Sequence, residues 1–162
     1  MKDFEVKKNK RELVISKIKE GTVIDHISAG KALLVLKILG IDERTRETIS
    51  LAMNVPSKKM GKKDIVKVEN KFINEEELNK IALIAPNATI NLIKDYEIVK
   101  KFKVKLPEVV EGIILCPNKT CISNAKREPI KSRFYISVKD GEVAAKCHYC
   151  GKVLKNIAEH LL

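Results

Sequence analysis

Four cysteines in the final third of the chain constrain its fold more than any other feature: Cys116 and Cys121 in CPNKTC, and Cys147 and Cys150 in CHYCGK. The spacing is C-x4-C, an interval of 25 residues, then C-x2-C. Each clip supplies two sulfurs from one tight turn, and the interval is long enough for a hairpin that brings the clips together. That is what a tetrahedral zinc ion requires. Four unrelated buried cysteines, or an iron site of the same geometry, are the competing readings. Four thiolates close the coordination sphere, so the expected ion, one Zn2+ per chain, is structural and leaves no position for a reacting water. A module of about fifty residues cannot bury a sufficient core alone, and metal binding supplies the missing folding free energy. His148, between the paired cysteines, is a rival ligand that reads better as a surface residue of the knuckle.

The remaining chain is larger. At 162 residues there is room for one ordinary domain plus this small one. Hydrophobic content of 44% with 4% aromatics and no Trp implies an aliphatic core. No stretch approaches the roughly 20 apolar residues of a membrane span, and the start, MKDFEVKKNKRELV, lacks a signal-peptide core. A cytoplasmic protein is expected, where cysteines hold metal rather than pair as disulfides. The formal charge of +11 invites nucleic acid as a partner. The lysines are interleaved with Glu and Asp, however, as in proteins from hot environments. The ribbon's only aromatics are Phe134, Tyr135 and Tyr149, with no basic-aromatic stacking run. A zinc-ribbon nucleic-acid binder is therefore the second reading, behind a small anionic ligand.

Residues 1–11 are charged and aperiodic and read as a mobile basic arm. Strand-like runs follow at 13–18 (LVISKI) and 21–27 (GTVIDHI), then a helix over 29–39 stopped by Gly40. Alternating apolar residues predict a strand at 46–55, a lysine-rich loop at 55–63, and a strand at 64–70. Asn74 and Glu77 form a capping box for a helix over 75–85, closed by Pro86. Strands at 88–93 and 96–104 are turned by Lys94-Asp95. This order is that of an α+β, ferredoxin-like sandwich, an antiparallel sheet with two helices on one face. It spans 12–104 and is followed by a small all-β, zinc-ribbon-like domain over 105–162. Asp140-Gly141 marks a hairpin delivering Cys147 and Cys150 to the metal.

Charges interrupt the apolar strands at Asp25, His26, Lys67, Lys100 and Lys101. Singly, each reads as the solvent face of a strand. Together they suit a nucleotide: a carboxylate for ribose hydroxyls, and lysines as mobile point charges for phosphates. No G-x-x-x-x-G-K-[ST] or G-x-G-x-x-G loop is present, nor G-x-S-x-G, HExxH or a Cys-His pair outside the clips. A catalytic role is not expected.

The strings GTVIDHI, PSKKMGKKDIVKVEN, APNATINLI followed by YEIV, and CPNKTC with CHYCGK resemble the regulatory chain of aspartate carbamoyltransferase, of archaeal type. The likeness runs from about residue 13 to the C-terminus. It implies a non-catalytic allosteric subunit of pyrimidine biosynthesis, pairing as a regulatory dimer, binding CTP and ATP in its first domain, and docking on the catalytic chain through its four-cysteine zinc domain. Carried over, Asp25 would contact the ribose and Lys67 the ribose or base, with His26 and Lys101 near the phosphates. Ile15, Ser16 and Ile18, with Asn91, Tyr96 and Ile98, would surround the base. Lys63 is a weaker phosphate candidate. Ser16 stands where bacterial members carry an acidic residue, the basic arm is longer than theirs, and Lys100 beside Lys101 leaves the phosphate contact ambiguous by one residue.

Overall fold

The computed structural model describes residues 18–127 and 129–162. The larger sheet contains β1 (Gly21–Ser28), β2 (Ile49–Ser57), β3 (Gly61–Glu69), β4 (Thr89–Lys94) and β5 (Glu97–Lys103). Its order is β2-β3-β1-β4-β5, and the paired strands are antiparallel. Helices α1 (Ala32–Ile38) and α2 (Glu75–Ile84) cover one face. The outward side chains alternate with a core of Ile24, Ile27, Val66, Val68 and Ile90, packed on Val35, Ile81 and Ala82 of the helices. Burying each of the larger aliphatics contributes about 1.5–3 kcal/mol. The expected sandwich is present, extended by β5 at one edge.

Local chemistry places the ends. The capping box forms as read: the Glu77 N–H donates to Asn74 Oδ1 at 2.8 Å, and the Asn74 N–H donates to Glu77 Oε1 at 3.2 Å. α1 begins later than expected, because Ser28 to Lys31 form a turn in which the Lys31 N–H donates to the Ser28 carbonyl at 3.0 Å. The stretch 55–63, expected as a loop, is mostly strand. β2 runs to Ser57 and β3 starts at Gly61, closing a hairpin over Lys58–Met60. Pro56 is tolerated because β2 is an edge strand, where its missing N–H costs no ladder bond. The β4–β5 turn falls at Asp95-Tyr96 rather than Lys94-Asp95. Both residues have positive φ (49° and 66°), as the favoured two-residue hairpin turn demands. The expected arm, and the strand expected at 13–18 apart from Ile18, lie outside the described residues.

The smaller sheet is built from β6 (Val109–Glu111), β7 (Arg133–Lys139), β8 (Glu142–Cys147) and β9 (Val153–Leu154), in that order. Asp140-Gly141 turns β7 into β8 with φ of 53° and 78°, as its sequence signalled. Phe134, Ile114 and Ala145 are fully buried against Leu154 and Ile157. The two cores touch. Leu83 of α2 is buried in the second cluster, and Leu106 and Leu161 pack against both. The C-terminal residues lock this junction: the Leu162 N–H donates to the Ile113 carbonyl at 2.8 Å, and Lys80 Nζ to the Leu162 carbonyl at 2.6 Å. Among the described residues no helix is long and apolar enough to cross a membrane.

Candidate functional sites: a polar sheet face and a four-cysteine centre

The face of the large sheet turned away from the helices carries all but one of the charged residues singled out above, Lys100 being the exception. Register sets them in a row: Lys67 of β3 pairs with Val23 of β1, Val23 with Asn91 of β4, and Asn91 with Lys101 of β5. Lys100 pairs instead with Leu92, on the helix side, and its ammonium lies 5.2 Å from the Phe102 ring centre. Alternation thus separates the two lysines, and Lys101 shares the polar face with Asn91.

A regular strand could not present both Asp25 and His26 on this face. A β-bulge allows it. Between Ile24 and Ile27 the register on β3 advances by only two residues, from Val66 to Asp64, so β1 holds one extra residue. Ile24 and Ile27 both stay fully buried in the core while Asp25 and His26 both leave it. His26 takes a φ of 55°, and its N–H donates to Asp25 Oδ1 at 2.6 Å. Lys63 Nζ lies 3.0 Å from the same oxygen, and His26 Nδ1 is 3.1 Å from Thr89 Oγ1. Desolvation pushes the Asp25 carboxyl up, but the Lys63 ammonium and the groups of His26 outweigh it and hold the carboxyl below the ordinary carboxylate range. It is a carboxylate at neutral pH.

Two cavities flank this network. One, of about 310 Å³, is lined by Ile18, Val23, Lys67, Asn91, Ile93, Tyr96 and Ile98. Asn91 is 7% exposed, and among the described residues its Oδ1 has no hydrogen-bond partner, which suits a polar ligand edge. The other, of about 420 Å³, is basic, lined by His26, Lys59, Met60, Asn87, Thr89, Lys101, Phe102 and Lys103. Ile18, Lys67, Asn91, Tyr96 and Ile98 therefore line the apolar cavity and His26 and Lys101 the basic one, while Asp25 and Lys63 line neither and adjoin the basic cavity through His26. Ile15 and Ser16 lie outside the described residues. Sequence reasoning missed Val23, Ile93, Thr89 and Lys103, each two positions from a residue it named, so strict period-two counting would have found them. Lys59 carried no such signal, because 55–63 read as a loop.

Asp64 was also missed. It is fully buried, and its carboxylate accepts the N–H groups of Gly30 (2.9 Å), Ala32 (3.0 Å) and Asn54 (2.9 Å). It thereby holds the start of α1, and also a second bulge, in β2, where Asn54 has a φ of 60°.

In the small domain the four sulfurs converge within 4.8 Å of one another. Cys116 and Cys150 Sγ are 3.6 Å apart, and Cys121 and Cys147 Sγ 3.7 Å. A tetrahedron with metal–sulfur bonds of about 2.3 Å has edges near 3.8 Å, whereas a disulfide would bring the sulfurs to about 2.05 Å. The turns are self-organised. The Cys121 N–H donates to the Asn118 carbonyl, Asn124 Nδ2 donates at 2.8 Å to the carbonyls of Cys116 and Asn118, and the Gly151 N–H (φ 77°) donates to the Cys147 carbonyl. Backbone N–H groups point at sulfur: that of Asn118 at Cys116, those of Cys150 and Tyr149 at Cys147, and that of Lys152 at Cys150.

Without an ion these thiols differ. Burial pushes Cys116 up to about 12 and raises Cys147, whereas the Lys152 N–H and the Asn118 side chain bring Cys150 down to about 6. An incoming cation must displace the protons of the buried pair, after which the same N–H groups stabilise the thiolates. His148 does not join the cluster. Its Nδ1 lies 2.5 Å from the Tyr135 hydroxyl, and its ring packs edge-on against Tyr135 and Tyr149. The four thiols fit a closed, structural metal site, and among the described residues no His, Asp or Glu joins the cluster.

Comparison with known proteins agrees across both domains. The family described as "Aspartate carbamoyltransferase regulatory chain, allosteric domain" matches residues 13–105, and "Aspartate carbamoyltransferase regulatory chain, metal binding domain" matches 108–158. A protein of Archaeoglobus fulgidus named aspartate carbamoyltransferase regulatory chain is 68% identical over 151 residues, covering 93% of this chain and 99% of its own length. Proteins of the same name from Pyrococcus horikoshii (89% of this chain, 93% of its own) and Methanothrix thermoacetophila (94% and 98%) are each 54% identical. Two consecutive family matches, laid over a helix-backed sheet and a four-sulfur cluster, leave one conclusion: the chain belongs to the aspartate carbamoyltransferase regulatory chain family.

Proposed function

We propose that this chain is the non-catalytic, effector-sensing subunit of a cytoplasmic aspartate carbamoyltransferase, responding to CTP and ATP. The observation that carries the effector reading is the polar sheet face, which brings together an apolar cavity, a carboxylate and a lysine-rich cavity. The base would enter the first, against Ile18, Val23 and Ile98, with Asn91 Oδ1 and Lys67 meeting its polar edge. Asp25, kept ionised by Lys63 and His26, would accept hydrogen bonds from the ribose hydroxyls. His26 and Lys101 would receive the phosphates. Ile15 and Ser16 remain base contacts on this reading.

The small domain would hold one Zn2+ on Cys116, Cys121, Cys147 and Cys150, a closed site whose chemistry is structural. Its outer surface would dock on the catalytic chain, while two regulatory chains would pair through their effector domains. Tight binding alone would not regulate anything. Each nucleotide must prefer one quaternary state, typically by about 1–3 kcal/mol. The Leu83, Leu106 and Leu161 junction is the physical route by which the sheet could bias the docking domain.

Mixing the purified chain with its cognate catalytic trimer is expected to give one larger species whose aspartate saturation curve shifts on adding CTP. A chelator should return the trimer's mass. An unchanged trimer mass with metal present would refute the docking assignment, and a larger species indifferent to both nucleotides would refute the effector assignment.

A further inference from the structure

The β2–β3 hairpin supplies a cation that neither the motifs nor strand alternation pointed to. Lys59 sits at the tip, between Lys58 and Met60, and lines the basic cavity together with Lys101 and Lys103 of β5 and His26 of β1. Met60, half-buried, lines the same cavity, so the tip folds toward the sheet beside its lysine. The tip is held in place. Ser57 pairs with Gly61, the Met60 N–H donates to Ser57 Oγ at 3.3 Å, and Gly61 adopts a φ of 76° that an L-residue would resist. Lower down, Asp64 fixes the β2 bulge through the Asn54 N–H at 2.9 Å. The residues lining this cavity include three ammonium groups and no carboxylate.

We infer that Lys59 is a specificity-determining residue for phosphate number, making the site select nucleoside triphosphates over the corresponding mono- and diphosphates. This inference rests on the effector reading above. His26 contacts Asp25 directly, and Lys101 lines the same cavity in the row of Asn91, so these two would meet the first phosphates. Lys59, reaching over from the other side of the sheet, would meet the terminal one. Each added phosphate brings charge and acceptor oxygens to a cluster of cations, and an ammonium–phosphate contact is a charge-assisted hydrogen bond. An exposed lysine at a turn tip can be replaced without disturbing the core.

The test is calorimetric titration of the full chain with CMP, CDP and CTP, for wild type, Lys59→Gln and Lys58→Gln. Wild type is expected to bind CTP more tightly than CDP, and CDP more tightly than CMP. Lys59→Gln should lose about tenfold toward CTP while CMP affinity stays within about twofold. Lys58→Gln, at the same tip but outside the cavity lining, should resemble wild type. Equal losses for all three nucleotides, equal losses in the two variants, or no loss in Lys59→Gln would overturn the inference alone. If wild type binds none of the three, the effector reading falls with it.

Discussion

Chelation of the metal is expected to unfold the C-terminal sheet while the five-stranded sheet remains folded. Cys116, Cys121 and Cys147 are themselves part of the small core, at 2%, 4% and 1% exposure, so an ion held by them would stand where other domains place aliphatic side chains. Around them only Phe134, Ile114, Ala145, Leu154 and a few neighbours are buried. Such a core cannot offset the chain entropy of its own module. Structural zinc contributes on the order of 10 kcal/mol in small modules, more than the whole stability of most domains. Cys147→Ser, which removes the most buried sulfur, should reproduce chelation. Amide NMR is the readout: peaks from β6–β9 should collapse to random-coil positions while those of β1–β5 persist. Because Leu83, Leu106 and Leu161 bridge the cores, the large domain should also lose some thermal stability. Retained dispersion in β7 and β8 with chelator would mean that the metal only decorates a self-sufficient fold.

Asp64→Ala should be the most damaging single change in the effector domain. It deletes the shared acceptor of three backbone N–H groups and leaves the Ala32 N–H, at a fully buried residue, without that partner. A hydrogen bond to a charged group contributes about 1.5–3 kcal/mol, and a buried unsatisfied donor costs about 1–3 kcal/mol. A loss of about 3 kcal/mol or more is expected in urea unfolding. Asp64→Asn, which keeps an acceptor oxygen but not the charge, should cost less. The consequence reaches the candidate site. Asp64 adjoins Lys63 in sequence and anchors the hairpin that carries Lys59, so nucleotide affinity should fall even at temperatures where the variant is folded.

The elements most legible in the sequence are those specified by a few neighbouring residues. The cysteine clips, the Asp140-Gly141 hairpin and the Asn74–Glu77 capping box each depend on short-range geometry, and each appears where its residues stand. What remained hidden depends on partners distant in the chain. Asp25 and His26 cannot both face outward on a regular strand, and only pairing with β3 shows the extra residue that lets them. Lys100 and Lys101 are indistinguishable by type, and their separation comes from register with Leu92 and Asn91 on β4. The hairpin at 55–63 was obscured by Pro56, Gly61 and four lysines: Pro56 is tolerated because β2 is an edge strand, and Gly61 supplies the positive φ at which β3 leaves the turn. Asp64 reads as an ordinary polar start to a strand, because its three donors come from residues 10 to 34 positions away.

The most direct test of the polar sheet face as the nucleotide sensor compares three single variants in CTP titrations of the intact chain. Asp25→Ala and Lys101→Ala, both on that face, are each expected to weaken binding at least about tenfold. Lys100→Ala, one residue away but on the helix side, should stay within about twofold of wild type. Undiminished affinity in both Asp25→Ala and Lys101→Ala would contradict the account, and so would a loss in Lys100→Ala as large as theirs.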